Sequence, residues 1–294
     1  MAKQAANNGE FASYSAKIRT HKIIRTIVCI LLCIISILPF YVMIVNSTLA
    51  SDTIKTGVHL IPGKMFSHNF NALMKKADGI GTSIWGAMLH SALIAVPATI
   101  IQVYVSTLTA YGLTAYNFKL KKAAWAFIYA IMMIPAQVSI IGFMSLMQKI
   151  GLYDTYWPLI IPAAAAPSTV YFMKQYMSSA LSLEIIEAAR IDGSGEFYTF
   201  NTIVLPLMKP AMATQAIFAF IASWNNLYTP SMILISPKKK TLPMFIQSLR
   251  SEQFRSDYGV IYMGLFLTVV PLIAVYFALS KYIIAGVALG GVKE

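Results

Sequence analysis

The chain has 294 residues, of which 57% are hydrophobic and 12% are charged, and its mean hydropathy is +0.66. Because soluble domains carry about 25% charged residues, this composition excludes an ordinary soluble fold and predicts an all-α, polytopic membrane protein. The formal net charge of +12 does not indicate nucleic-acid binding, since the lysines and arginines lie in short connections beside apolar segments, where they would contact membrane lipid headgroups.

Apolar segments long enough to cross a membrane occur six times along the chain. A helix needs roughly 20 apolar residues to span the hydrocarbon core, and proline is tolerated there when neighbouring groups satisfy the freed carbonyls. We therefore predict a cytoplasmic N-terminal segment at 1–22 and one six-helix transmembrane domain at 23–294. The predicted spans are 23–46, 84–110, 123–148, 156–175, 210–235 and 259–285.

The first apolar segment follows several basic residues and could be a secretion signal. Its uncharged run, 27–45, is longer than the ~7–15 residues usual for the apolar core of such a signal. Thr48 and Ala50 would make only a weak cleavage site. We interpret the segment as a retained first helix, with cleavage as the alternative.

The distribution of basic residues bears on the orientation of the spans. With both termini in the cytoplasm, 13 lysines and arginines lie inside and 10 outside. This bias agrees weakly with the positive-inside rule. The prediction that both termini are cytoplasmic therefore rests less on charge than on the family resemblance of the stretch 176–209, whose residues are given below.

Residues with the spacing of a catalytic or metal site are not found in the sequence. Cys29 and Cys33 share one face of the first apolar segment and read as packed or lipid-facing thiols. His90 stands alone in the second segment, where packing or a helix–helix hydrogen bond is the simpler explanation. We predict no catalytic residue and no metal ligand.

The polar stretch 176–209 separates the fourth and fifth apolar segments and predicts two short helices. Ser182 is a suitable N-cap for a helix over 183–191, in which Glu187 and Arg190 are close enough for a local ion pair. Asp192 and Gly193 end that helix, because glycine readily takes the left-handed conformation. A second helix over 197–205 is then stopped by Pro206 and Pro210.

Within this stretch the pattern E-A-A-x3-G-x9-I-x-L-P resembles the coupling loop of ABC-importer permeases. An amphipathic helix lying among the lipid headgroups is the alternative. The residues that carry the resemblance are Glu187, Ala188, Ala189, Gly193, Ile203, Leu205 and Pro206.

Other parts of the chain are similar to the MetI-type permease family, and in particular to its carbohydrate group, which includes the maltose-system permeases. Where many relatives have a proline before the coupling helix, this chain has Ser182 and Leu183. The similar residues outside the loop are Leu38, Pro39, Phe40, Asn46, Ser47, Trp224, Asn225, Asn226, Lys281, Tyr282, Gly286, Gly290, Gly291, Val292 and Lys293.

The resemblance implies a MetI-like permease fold in a bacterial cell membrane and an ATP-driven importer with several other subunits. These are a second, non-identical permease, two ATPases that hold ATP and Mg²⁺, and an extracellular binding protein that delivers a sugar or oligosaccharide. The chain itself lacks the G-x4-G-K-[ST] phosphate loop, and we predict no cofactor on it. The residues implied in coupling to the ATPase are Glu187, Ala188, Ala189, Arg190, Asp192, Gly193, Ile203, Leu205 and Pro206.

Amides and aromatic rings in the fifth span are candidate substrate-pathway residues: Trp224, Asn225, Asn226 and Tyr228. Amides suit sugar hydroxyls and aromatic rings suit sugar C–H faces, but the same residues could form an interfacial aromatic belt. Other amides in the predicted spans include Gln102 and Gln137.

The basic connection 236–258 lies outside in the predicted topology. The resemblance implies that this connection enters the cleft of the binding protein, whereas a solvated run of charge is the alternative. The candidate residues are Lys238, Lys239, Lys240, Thr241, Leu242 and Pro243. The resemblance also implies that 290–294 contact the ATPase pair.

Three competing functions remain open. A permease of the same superfamily could carry a solute other than a sugar. A proton- or sodium-driven carrier or channel is disfavoured, because such proteins place carboxylates within their spans and the spans predicted here have essentially none. A membrane scaffold without a pathway is the third.

Overall fold

The computed structural model of the chain describes residues 2–135, 139–250 and 257–290. Every regular element in these ranges is helical, which confirms the predicted all-α class. The chain divides into two compact units, Met1–Phe70 with Asp257–Phe266, and Asn71–Ser256 with Leu267–Glu294. Gln137, Arg255 and the C-terminal residues 291–294 lie outside the described residues.

Three of the six predicted spans are single long helices. These are α1 (Ala2–Ser47), α5 (Ile84–Ala115) and α16 (Tyr258–Gly290). By length and composition, Arg19–Ser47, Ile84–Ala115 and Tyr258–Tyr282 are the helices in the described residues that can each cross a membrane alone. Each contains one proline, Pro39, Pro97 and Pro271 respectively.

The other three predicted spans are each divided into shorter helices. The third consists of α6 (Lys121–Met132) and α7 (Ile140–Lys149). Proline contributes to these interruptions, because it donates no backbone hydrogen bond and clashes with the preceding turn. The fourth consists of α8 (Trp157–Ile160), a 3₁₀ helix (Ile161–Ala164) and α9 (Pro167–Ala180), and the fifth of α13 (Lys209–Trp224) and α14 (Tyr228–Ile233).

Short helices occur in all three long connections, 47–83, 176–209 and 236–258. The connection 47–83 contains α2 (Ser51–Lys55), α3 (Phe66–Lys75) and α4 (Ala77–Ile80). The connection 236–258, which the predicted topology places outside and which we call the outer connection, contains a 3₁₀ turn (Pro237–Lys239) and α15 (Leu242–Arg250).

In the first unit, the side chain of Asn69 is hydrogen-bonded to the end of α1 and lies against the start of α16. Its Nδ2 donates hydrogen bonds to the carbonyls of Ser47 and Leu49 at 2.8 and 2.9 Å. A Cβ on Gly259 would lie 2.7 Å from both Asn69 Nδ2 and Leu49 O, so this close approach requires glycine. By contrast, the apolar surface of α1 over 19–40 is exposed within the chain, as suits lipid or a second subunit.

In the second unit, α5 is the central helix and packs against α9 and α13. One apolar cluster joins Val103 and Tyr111 of α5 to Met173 and Met177 of α9 and extends beneath the polar stretch 176–209. A second cluster, which includes Ile94 and Ile233, lies nearer the start of α5. The polar stretch 176–209 is therefore packed on the same helix that reaches the opposite end of the unit.

Candidate functional site

The first helix of the polar stretch has the predicted bounds. Helix α10 covers Leu183–Ile191, and Ser182 Oγ accepts a hydrogen bond from the Glu184 amide at 3.3 Å. Gly193 has φ +79°, the left-handed conformation that ends helices, and the Ser194 amide donates to Ala189 O at 2.9 Å. The capping and the glycine break are both confirmed.

The second helix is longer than predicted and changes its winding. It runs through α11 (Glu196–Thr199), a π-helical segment (Phe200–Val204) and α12 (Leu205–Leu207). Pro206 cannot donate to the carbonyl four residues earlier, and the wider turn lies immediately before it. The helix axis then bends by 80° into α13. We call α10 and this second helix (Glu196–Leu207) the two arms of the polar stretch.

An ionic link joins the two arms. Arg190 Nε lies 2.6 Å from Glu196 Oε1, and Tyr111 Oη donates to Glu196 Oε2 at 2.9 Å. The Arg190 guanidinium also lies over the Tyr116 ring, 5.3 Å from its centroid. Arg190 thus pairs with Glu196 and not, as predicted, with Glu187. The reason is that the turn at Gly193 brings the second arm back towards Arg190.

The Arg190–Glu196 link changes the ionisation of its members. The hydrogen bond from Arg190, followed by that from Tyr116, lowers the pKa of Glu196 to about 2. Burial, followed by the hydrogen bond to Glu196, raises the pKa of Tyr116. Glu196 is therefore an anion at any physiological pH.

We expect the link to weaken only in acid. A carboxyl whose pKa falls on folding stabilises the folded state above its unfolded pKa and loses that effect as the pH falls towards the folded value. The link should be fully effective above about pH 4.5 and lost towards about pH 2. At pH 7, hydrogen exchange at residues 191–199 should be slower in the wild type than in Glu196→Gln, and the difference should shrink towards pH 2. A pH-independent difference would contradict this assignment.

The arms divide into a buried anchor face and an exposed face. Ile186, Phe200 and Val204 are buried in the apolar cluster beneath the polar stretch, and Ala189 is also buried. Of the two alanines in the predicted coupling motif, only Ala188 is therefore accessible. The other predicted coupling residues are exposed or half-buried: Glu187, Arg190, Asp192, Gly193, Ile203, Leu205 and Pro206.

Three exposed apolar side chains near the Gly193 turn were not among the predicted coupling residues. Ile191 is 86% exposed, Phe197 68% and Tyr198 66%. They flank the Gly193 turn. The sequence signal that could have identified them is helical position, because they do not share the faces that carry the buried residues Ile186 and Phe200. We call Glu187, Ala188, Ile191, Phe197 and Tyr198 the knob surface.

The four candidate pathway residues are not brought together. Trp224 is 2% exposed, stacks on Phe220 and donates through Nε1 to Thr268 O at 3.2 Å. Asn225 and Tyr228 are exposed on the surface of the chain. Of the four, Asn226 is the one that lines a cavity.

The outer connection is held by Asp154, which sequence reasoning did not single out. Its carboxylate lies 3.0 Å from Lys239 Nζ and accepts hydrogen bonds from the Ile235 and Ser236 amides at 3.0 and 3.1 Å. Partial burial opposes ionisation, but the hydrogen bonds from Ser236, Lys239 and Ile235 outweigh it and hold the pKa of Asp154 below its usual range. Two predicted outer connections, 149–155 and 236–258, therefore meet.

The remaining candidates in the outer connection differ in exposure. Lys238 is exposed, whereas Lys240 donates to Ser248 Oγ at 3.0 Å. Thr241 and Leu242 are buried, and the Leu242 amide donates to Ser91 Oγ at 2.8 Å. Pro243 is half-buried, so the accessible part of the connection centres on Lys238.

Replacing Asp154 should loosen this connection. Asp154 has φ +57°, which asparagine also tolerates, so Asp154→Asn removes the charge without straining the backbone. Partly exposed ion pairs contribute about 0.2–1 kcal/mol, and we expect trypsin to cut at 238–240 up to about fivefold faster. Asp52→Asn, which breaks the exposed Asp52–Lys55 pair, is the control. Equal cleavage rates in both variants would contradict the role of Asp154.

A cavity of about 400 Å³ lies among α5, α7, the fourth span, α13 and α14. Gln102, Ser139, Ser223, Asn226 and Thr229 supply its polar lining, and Phe143 supplies an aromatic ring. Among the described residues that line it, none is charged. The arrangement suits a neutral ligand rather than an ion, since no group is present to offset a net charge.

Comparison with known proteins gives consistent similarities over nearly the whole chain. Residues 102–288 match the family model described as "Binding-protein-dependent transport system inner membrane component". The chain is 32% identical over 266 residues to the arabinooligosaccharides transport system permease protein AraQ of Halalkalibacterium halodurans, covering 88% of this chain and 92% of AraQ. It is 33% identical over 206 residues to the maltodextrin transport system permease protein MdxG of Bacillus subtilis, covering 69% and 74%.

A solved structure shares the fold. It is a chain in the crystal structure of a bacterial ABC transporter involved in the import of the acidic polysaccharide alginate. The TM-score is 0.75 at 20% sequence identity, and the match covers 90% of this chain and 96% of the other. At this identity the likeness concerns the arrangement of helices.

Proposed function

Because the chain belongs to the family of binding-protein-dependent transport system inner membrane components, we propose that it is one of two permease subunits in a bacterial importer of oligosaccharides. Its helical arrangement is the MetI-like permease fold. The observation that carries the mechanism is the knob surface, a set of exposed residues on two helical arms whose other side is packed in the apolar cluster. The AraQ and MdxG names support an oligosaccharide as the transported solute.

The knob surface would dock into a groove on an ATPase subunit. Apolar side chains that are exposed in the chain and surrounded by charge are typical of protein interfaces. Ile191 and Phe197 would supply the apolar anchors, and Glu187 the charge beside them. Movement of the ATPase would then reach α5 and α13, because the buried faces of both arms pack directly on these helices.

Contacts between connections support the proposed topology. Tyr116, from the predicted inner connection 111–122, contacts Arg190 of the other predicted inner connection. Asp154 and Lys239 join two predicted outer connections. Connections that meet must lie on the same side of the membrane, so these contacts support the alternation of inner and outer connections along the chain. That both termini are cytoplasmic is the orientation we propose from the resemblance of 176–209 to an importer's coupling loop.

The outer connection would meet the extracellular binding protein. Lys238 projects from a segment that Asp154 holds in place, so the segment would enter a cleft without first having to become ordered. ATP and Mg²⁺ would be bound by the separate ATPase chains. The second, non-identical permease subunit would complete the pathway, and the exposed apolar surface of α1 suits contact with lipid or with that subunit.

The test is uptake and ATP hydrolysis by the complex purified from its host and reconstituted in lipid vesicles. We expect the chain to co-purify with two ATPase copies and one different permease. Arabinotriose or maltotriose, loaded on the binding protein, should stimulate ATP hydrolysis. Glu187→Ala should reduce uptake without reducing the amount of chain in the membrane. Isolation of a functional transporter without an ATPase would overturn the proposal.

A further inference from the structure

The three divided spans are interrupted where they meet the 400 Å³ cavity. Ser139 and Ile140 line it at the start of α7, Pro162 and Ala163 line it just before α9, and Asn226 lines it between α13 and α14. Helix interruptions expose backbone carbonyls and amides that an intact helix would use internally. Within a membrane such backbone is tolerated only where it is buried in protein or faces a cavity.

The cavity lies midway along the central helix. Ile94, Ala98 and Gln102 line it at four-residue spacing, hence from one face of α5. With a rise of 1.5 Å per residue, Ala98 lies about 21 Å from one end of α5 and about 26 Å from the other. Transport proteins place substrate sites near this depth, between interrupted helices.

The lining chemistry is that of a sugar site. Asn226 accepts a hydrogen bond from the Thr229 amide through Oδ1 at 3.2 Å, so it would recognise a ligand through its N–H donors. The hydroxyls of Ser223 and Thr229 can donate or accept, as sugar hydroxyls require. Phe143 offers a ring for the C–H face of a sugar, and a volume of about 400 Å³ lies within the ~300–1,000 Å³ usual for small-molecule sites.

From this juxtaposition we propose that the cavity is a binding subsite for one end of a neutral oligosaccharide, formed by this subunit alone. The inference rests on the proposed function and extends it, because it makes the subunit a direct contributor to substrate binding. Asn226 and Ser223 are the residues expected to contact the sugar. Gln102 is a positioning residue, since its Nε2 donates to Thr169 Oγ1 of α9 at 2.9 Å.

The first experiment measures uptake of arabinotriose and maltotriose by the reconstituted complex. For whichever sugar is transported, Asn226→Leu and Ser223→Val should each raise KM about tenfold, as loss of a ligand hydrogen bond predicts. Ser231→Val is the control, because Ser231 is exposed on α14 and is not among the lining residues. Cavity variants that match this control in KM would overturn the inference.

A second measurement does not depend on turnover. With Cys29 and Cys33 replaced by serine, Ser223→Cys should react with N-ethylmaleimide, and the transported sugar should slow the reaction. Reaction at the same rate with and without sugar would also overturn the subsite. If neither sugar were transported by the wild-type complex, the carbohydrate function itself would fail. If the wild type transported a sugar and the cavity variants had the same KM for it, the carbohydrate function would stand and only the subsite would be rejected.

Discussion

Replacing Phe197 by aspartate should abolish coupled uptake while leaving the chain folded. The side chain is 68% exposed, so its removal costs the chain little packing, whereas a charge placed there would have to be buried in the ATPase groove. Apolar anchors at interfaces contribute about 2–4 kcal/mol or more, which predicts a loss of about 30-fold to 1,000-fold in the affinity of the ATPase for the permease. Ile191→Asp should act in the same way.

The measurement is co-purification of the ATPase together with sugar-dependent ATP hydrolysis in vesicles. Leu120→Asp is the matched control. Leu120 is also a large, exposed apolar residue (70%) in a predicted inner connection, but it lies outside the knob surface. We expect this control to retain the ATPase. A Phe197→Asp complex that still hydrolyses ATP in response to sugar would remove the docking assignment.

Replacing Phe200 by alanine should have the opposite signature, a loss of stability. Phe200 is fully buried, and its ring packs against those of Tyr104 and Tyr111 at centroid distances of 5.7 and 5.5 Å. Truncating a core phenylalanine costs about 3–5 kcal/mol in soluble proteins. The polar stretch 176–209 would detach from α5, and the detergent-purified protein should denature at a clearly lower temperature.

Phe197→Ala is the control for this second result, since it removes the same ring from an exposed position three residues earlier. Its effect on stability should stay within about 0.5 kcal/mol. Phe200→Leu should fall between the two, because it keeps more of the buried volume. Equal denaturation temperatures for Phe197→Ala and Phe200→Ala would show that the base of the knob surface is not a packed anchor.

The two phenylalanines also illustrate the limit of reasoning from sequence. Both lie in a stretch that the sequence identified as functional, and the bounds of its first helix were predicted correctly. Their opposite burial was not predicted, because it depends on which side of the second arm packs against α5 and α9, and Phe200 is the one of the two that lies in that cluster. The partner of Arg190 was missed for a related reason, since Glu196 reaches it only after the chain reverses at Gly193.

The interruptions of the spans also show which features the sequence predicts and which depend on tertiary packing. Hydropathy located all six apolar segments, and proline marked several of them as irregular. Proline alone did not decide the outcome, because Pro39, Pro97 and Pro271 lie within intact helices. The third, fourth and fifth segments break where neighbouring helices leave a cavity that can accommodate unpaired backbone groups.

By itself, the amino-acid sequence determined that this protein is a membrane protein, that it has six apolar segments and which connection resembles an importer's coupling loop. These features can be read from the sequence because hydropathy and short motifs are properties of adjacent residues. Tertiary structure alone decided that Asp154 secures the outer connection, that Trp224 is a packing residue and that Ser139, Ser223 and Asn226 share one cavity. Those relations join residues up to 87 positions apart, and only the packing of helices around α5 brings them together.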